Sequence, residues 1–94
     1  MRSILTDDYE HCFICGALAE CEHHIYMGKN RKASTEHGFT VPLCNGCHNM
    51  RTDSVHLDSR QILNKKLKRI CQKKFEETHS REEFLKIIGR NYLG

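Results

Sequence analysis

The sequence predicts a small α+β fold: a β-hairpin held by a metal staple, then one long and one short helix. Three observations carry this. Two C-x-x-C pairs, Cys12-x-x-Cys15 and Cys44-x-x-Cys47, bracket two strand-like segments. Apolar residues recur at helical spacing between Leu63 and Phe75. The 94 residues are only 38% hydrophobic yet include six cysteines and seven histidines, so the core is too small to stand without cross-linking.

The elements follow in order. The first knuckle, Cys12-Phe13-Ile14-Cys15, ends on Gly16, which accepts the positive φ of a tight turn. Cys21 to Tyr26 has strand character, Gly28 to Gly38 reads as a polar, basic loop, and Phe39 to Leu43 as a second strand. Pro42 confines that strand to an edge or a strand end. The result is a long-tipped hairpin carrying the second knuckle, Cys44-Asn45-Gly46-Cys47, at its open end, with a short helix starting near His48. Asp58 or Ser59 then caps a helix to about Glu77, whose apolar stripe is Leu63, Leu67, Ile70, Cys71 and Phe75. Ser80-Arg81-Glu82-Glu83 is a capping box, and the helix it opens, through Phe84, Leu85, Ile87 and Ile88, stops at Gly89. One domain is expected over residues 1–94, with the metal-held core at about 10–57 and a helical extension at about 58–94.

Twenty-eight residues separate the two cysteine pairs, a hairpin's length, so both knuckles can meet at one ion. Four thiolates in a tetrahedron form the closed shell of a structural zinc site. No apolar run approaches the roughly 20 residues of a membrane span, and Asp7 and Asp8 follow Met1 to Leu5 where a signal peptide would continue its apolar core. A cytoplasmic, reducing location is therefore expected, where such pairs bind metal in preference to forming disulfides. Cys44 to His48 also spells the C-x-x-C-H of haem attachment. The second cysteine pair and the histidine-rich hairpin argue against it. Cys71, on the apolar stripe, and Cys21 are expected to pack as small hydrophobes.

His23 and His24 are adjacent on a strand, so their side chains point to opposite faces. One can serve a metal while the other faces a substrate. His48 directly follows the second knuckle and joins His23 in a candidate second, open metal site, with His56 a further candidate ligand. His24 is left as a free imidazole, whose ordinary pKa of about 6.5 suits a general base. His11, His37 and His79 read as ordinary polar residues.

The net charge of +3 is unevenly spread. One basic residue faces five acidic ones from Met1 to Met27, against four and one from Gly28 to Arg51 and seven and three from Asp58 to Thr78. Lys29, Arg31 and Lys32 at the hairpin tip are candidate contacts to a polyanion backbone. So are Lys65, Lys66, Arg69 and Lys73, which share an arc about 100° wide on the long helix.

Glu22-His23-His24-Ile25, with Cys12-x-x-Cys15 upstream and Val41-Pro42-Leu43-Cys44-Asn45-Gly46-Cys47-His48-Asn49 downstream, resembles the cysteine-containing branch of the HNH endonucleases. Their core is a ββα-metal, treble-clef-like finger, and the likeness covers about Cys12 to His56. Val55-His56 and the stretch from Phe84 to Leu93 are similar to small phage proteins related to recombination-enhancement nucleases. The resemblance implies phosphodiester hydrolysis in DNA, with Cys12, Cys15, Cys44 and Cys47 on structural zinc. It implies His23 and His48 on a catalytic Mg²⁺ or Mn²⁺, replaceable in vitro by Zn²⁺ or Ni²⁺, and His24 as general base. A recombinase or another phage protein is a further implied partner, in the cytoplasm of a bacterial or phage-infected cell.

One position departs from the motif. HNH proteins usually place an asparagine ahead of the second strand, where it braces the loop and orients the base, and here that region reads Glu36-His37-Gly38-Phe39. Asn45 lies inside the knuckle and Asn49 beyond it. Either another group orients His24, or the finger is a non-catalytic zinc module that binds nucleic acid or protein.

Overall fold

In the computed structural model, which describes residues 3–50 and 54–94, a two-stranded antiparallel sheet pairs β1 (Cys21–His24) with β2 (Thr40–Leu43). Arg51, counted above in the basic middle segment, lies outside the described residues. The register sets Cys21 against Leu43, Glu22 against Pro42, His23 against Val41 and His24 against Thr40. Every residue of β2 is buried, whereas β1 buries only His23. The hairpin therefore lies over the core with Glu22 and His24 turned outward. Pro42 is also buried, and its carbonyl accepts from Phe13 N–H at 2.8 Å, tying the first knuckle to the second strand.

The segment from Gly28 to Gly38, expected as a loop, is not one. A single 3₁₀ turn, Gly28–Asn30, leads into helix α1 (Arg31–His37), which ends at Gly38 in the left-handed conformation (φ 73°). Tertiary contact explains the helix. Ser34 is fully buried, and its hydroxyl donates to the Tyr26 carbonyl at 2.7 Å while accepting from Tyr26 N–H at 3.2 Å. One side chain so satisfies both backbone groups where the chain leaves the sheet, beyond the reach of ladder bonds. Asn30 Nδ2 reaches the Ile88 carbonyl at 2.9 Å and fixes the tip against the end of the chain's last helix.

The long helix, α2, spans Ile62–Phe75, shorter at its start than the spacing predicts. Asp58 does cap this region, accepting from Arg60 N–H at 3.0 Å and Ile62 N–H at 3.4 Å, but Gln61 sits at φ 58° and delays the helix. Leu67, Cys71 and Phe75 of the apolar stripe are buried, Leu63 packs at the margin and Ile70 is half-buried. Helix α3 (Arg81–Ile88) opens on the expected capping box, with Ser80 Oγ accepting from Glu83 N–H at 3.1 Å, and ends at Gly89 (φ 88°). Tyr26, Phe39, Phe75 and Phe84 meet in the centre with ring centroids 5.5 to 6.1 Å apart, in the edge-to-face and tilted geometries aromatic pairs prefer. Among the described residues no helix is long and apolar enough to cross a membrane.

Candidate functional site

Four cysteines converge where the spacing demands. Cys12, Cys15, Cys44 and Cys47 bring their sulfurs within 4.8 Å of one another, and all six cysteines of the chain are free thiols. Cys15 Sγ and Cys44 Sγ are 3.6 Å apart, far beyond the roughly 2.05 Å of a disulfide. It is close to the roughly 3.8 Å edge of a tetrahedron with 2.3 Å zinc–sulfur arms. Each knuckle is closed by its own backbone, Gly16 N–H donating to Cys12 O at 2.9 Å and His48 N–H to Cys44 O at 3.0 Å.

The electrostatics of the cluster are compatible with a bound cation. Burial raises the Cys12 thiol, but the N–H groups of Cys15, Cys44 and Ile14 outweigh it and leave the group lowered to about 6. Burial pushes Cys47 strongly upward, reinforced by the Cys44, Cys15 and Cys12 sulfurs. Within so small a volume one thiolate forms at the expense of its neighbours, and only a bound positive ion lets all four deprotonate together. The residues fit a structural metal such as zinc.

A second cluster stands beside the first. His23, His48 and His56 hold one ring nitrogen each within 4.8 Å of the others. The Nε2 atoms of His48 and His56 are 2.9 Å apart, and the His23 ring is 5.5 Å from one and 5.4 Å from the other, centroid to centroid. His48 lies in a short π-helix, Gly46–Met50, at the place where a short helix was expected. The backbone joins the two clusters: Cys44 O accepts from His48 N–H, and His48 O accepts from His56 N–H at 3.1 Å. Val55 N–H closes the rung between them on Cys47 O at 2.9 Å.

His23 is 1% exposed, and its Nε2 has no hydrogen-bond partner. An orphaned buried nitrogen is rare, and here it accompanies two further imidazoles. Burial, then the His48 and His56 charges, push His23 down to about 4, so the ring is neutral at physiological pH, the form that binds metal. Asn64, buried on α2, lies beside the ring and opposes that shift, and its Oδ1 has no hydrogen-bond partner either. Burial followed by the His56 charge lowers His48 too.

His24 is on the outer face of β1, its Nε2 4.0 Å from Glu22 Oε1. Despite opposite side-chain directions, His23 and His24 line one cleft of about 300 Å³, together with Glu22, Arg31, His48 and His56. Among the predicted backbone contacts at the hairpin tip, Arg31 joins this cleft while Lys29 and Lys32 are exposed beyond it, Lys32 reaching Glu36 at 4.0 Å. Lys65, Lys66, Arg69 and Lys73 are exposed on α2.

The remaining candidates resolve as packing or surface groups. Cys71 is fully buried and its thiol is raised to about 12 by that burial, while Cys21 Sγ donates to the Leu43 carbonyl at 3.3 Å. His11 pairs with Asp8 at 2.9 Å, and His37 and His79 stack on Phe39 and Phe75. Ser34 and Asn64 were not singled out in the sequence, and neither stands in a motif that would reveal it. No protein-family model, curated protein or solved structure matches the chain.

Proposed function

We propose that this chain is a metal-dependent DNA endonuclease of the HNH type, built on a ββα-metal, treble-clef-like finger. The observation that carries the reading is the meeting of His23, His48 and His56 with the free imidazole of His24 and the guanidinium of Arg31 at one cleft. The order of knuckle, strand, strand, knuckle and turn supports it.

His23, His48 and His56 would hold one divalent ion, and a bound ion supplies Lewis-acid stabilisation of the charge that builds on phosphate. Three imidazoles, with Glu22 the one carboxylate among the described residues of the cleft, favour Zn²⁺ or Ni²⁺ over Mg²⁺, which prefers oxygen. His24 accepts a proton from water as the water oxygen bonds to phosphorus and the bond to the 3′ oxygen breaks. The leaving oxygen takes its proton from solvent. Arg31 pairs with a non-bridging oxygen and places the phosphate between His24 and the three imidazoles. Ser34, by fixing both backbone groups of Tyr26, braces the chain just after His24, the task the motif asparagine performs elsewhere.

The test is nicking of supercoiled DNA with Mg²⁺, Mn²⁺, Zn²⁺ and Ni²⁺. His24→Ala should lose at least about 100-fold in rate with metal content and melting temperature unchanged. Absence of cleavage by the wild type with every ion, or equal cleavage by both proteins, overturns the proposal.

A further inference from the structure

A separate, basic cleft includes Asn64 in its lining. After Gly89 the chain folds back along α2, and buried Gln72 ties it down: its Nε2 donates to Asn91 Oδ1 at 2.8 Å and its Oε1 accepts from Tyr92 N–H at 2.7 Å. Asn91 also accepts from Leu93 N–H at 3.0 Å, so the tail is a fixed wall. Between that wall and α2 is a cleft of about 420 Å³ that draws Lys65, Lys68, Arg69 and Arg90 together, with no aspartate or glutamate among the described residues of its lining. None of the four forms an ion pair among the described residues.

Tyr92 gathers two of the cations. The Lys68 ammonium and the Arg90 guanidinium each lie 5.3 Å from its ring centroid, and the ring also packs on Tyr26 at 5.5 Å. Burial, then the Arg90 charge, pull Lys68 below the ordinary lysine range, as expected of cations crowded without an anion. Lys65 and Arg69, one turn apart and thus about 6 Å along the axis, belong also to the adjoining groove with Lys66, so positive charge continues past the cleft.

We propose that this cleft is a sequence-independent site for the phosphodiester backbone of DNA, with Lys68 and Arg90 as its central contacts. In its choice of ligand the proposal rests on the nuclease reading. Four cations with no carboxylate among the described lining residues favour phosphate over base, and the continuing row of cations suits a polymer better than a single anion. Asn64 lines this cleft and lies beside the buried His23 ring.

The test is the salt dependence of binding to a fluorescent duplex, measured by anisotropy without added divalent ion. It compares Lys68→Gln/Arg90→Gln with Lys74→Gln/Lys86→Gln, which removes equal charge outside the cleft. The first pair should flatten the slope of log K against log salt by about two, the second by well under one. Equal change in both pairs, no duplex binding by the wild type, or full displacement of the duplex by equimolar inorganic phosphate overturns the cleft. Cleavage is not the readout. A protein that binds through Lys68 and Arg90 but never cuts overturns the nuclease reading alone, and one that cuts yet ignores both residues overturns the cleft alone.

Discussion

His48 and His56 face each other through their Nε2 atoms at 2.9 Å. Two neutral imidazoles at that distance share one proton, one ring donating and the other accepting, while a metal takes a lone pair from each. Either His48→Ala or His56→Ala should therefore weaken the histidine site for Zn²⁺ by more than about 100-fold, beyond the loss typical of an outer partner. Titration calorimetry on protein already loaded at the cysteines reads this directly. Unaltered affinity in His56→Ala would remove that residue from the site.

Asn64 stands behind His23 with an unpartnered Oδ1. Drawn into line, that oxygen accepts from a ring N–H and orients the other ring nitrogen toward the cluster. Asn64→Leu should cost about 10- to 100-fold in affinity at the histidine site while zinc at the cysteines stays in place. Metal analysis and calorimetry check it, and Asn64→Asp, which keeps the acceptor, should restore most of the loss.

Ser34 leaves two buried backbone groups stranded if removed. Ser34→Ala should destabilise the fold by about 2 kcal/mol, since neither the N–H nor the C=O of Tyr26 has room for water. Urea denaturation measures this, and Ser34→Thr should lose less.

Removing the ion from the cysteines should abolish cooperative unfolding. Structural zinc contributes on the order of 10 kcal/mol, more than a core of this size supplies, so a strong chelator should flatten the thermal transition and Cys44→Ser should do so without one. Calorimetric scans before and after readdition of Zn²⁺ check both.

Glu76 gives the fold a pH dependence. Hydrogen bonds from Gln72, then Arg81, hold its carboxyl below the usual 4.5, against a smaller opposing effect of burial. A depressed folded-state pKa means the stabilisation is complete above about 4.5 and is lost as pH falls through the lower folded value. Wild type should exceed Glu76→Gln in melting temperature at pH 7, with the gap closing below pH 4 in a melting series.

The parts legible in the sequence are those fixed by local spacing. The cysteine pairs, the capping box at Ser80 and the apolar stripe of α2 are each decided within a turn or two of chain, so residue order suffices. Helix α1 was hidden because it presents no apolar stripe; its inward residue is Ser34, whose value comes from Tyr26 eight positions away. Asn64 looks like one more polar residue on a basic helix until β1 is laid against it. Arg90, Tyr92 and Gln72 form a wall only when the tail turns back, which follows from hydrogen bonds across 19 and 20 residues. Gln61 delays α2 through a backbone angle that its side chain does not advertise.

The hydrogen-bonded rungs from Cys44 to His48 and from His48 to His56 tie the placement of the histidine cluster to the shape of the second knuckle. Under the two-metal reading, stepwise addition of Zn²⁺ to the metal-free chain should therefore fill the cysteines before the histidines. Disrupting the thiolate cluster should weaken metal binding at both places, whereas disrupting the histidines should leave the cysteines loaded.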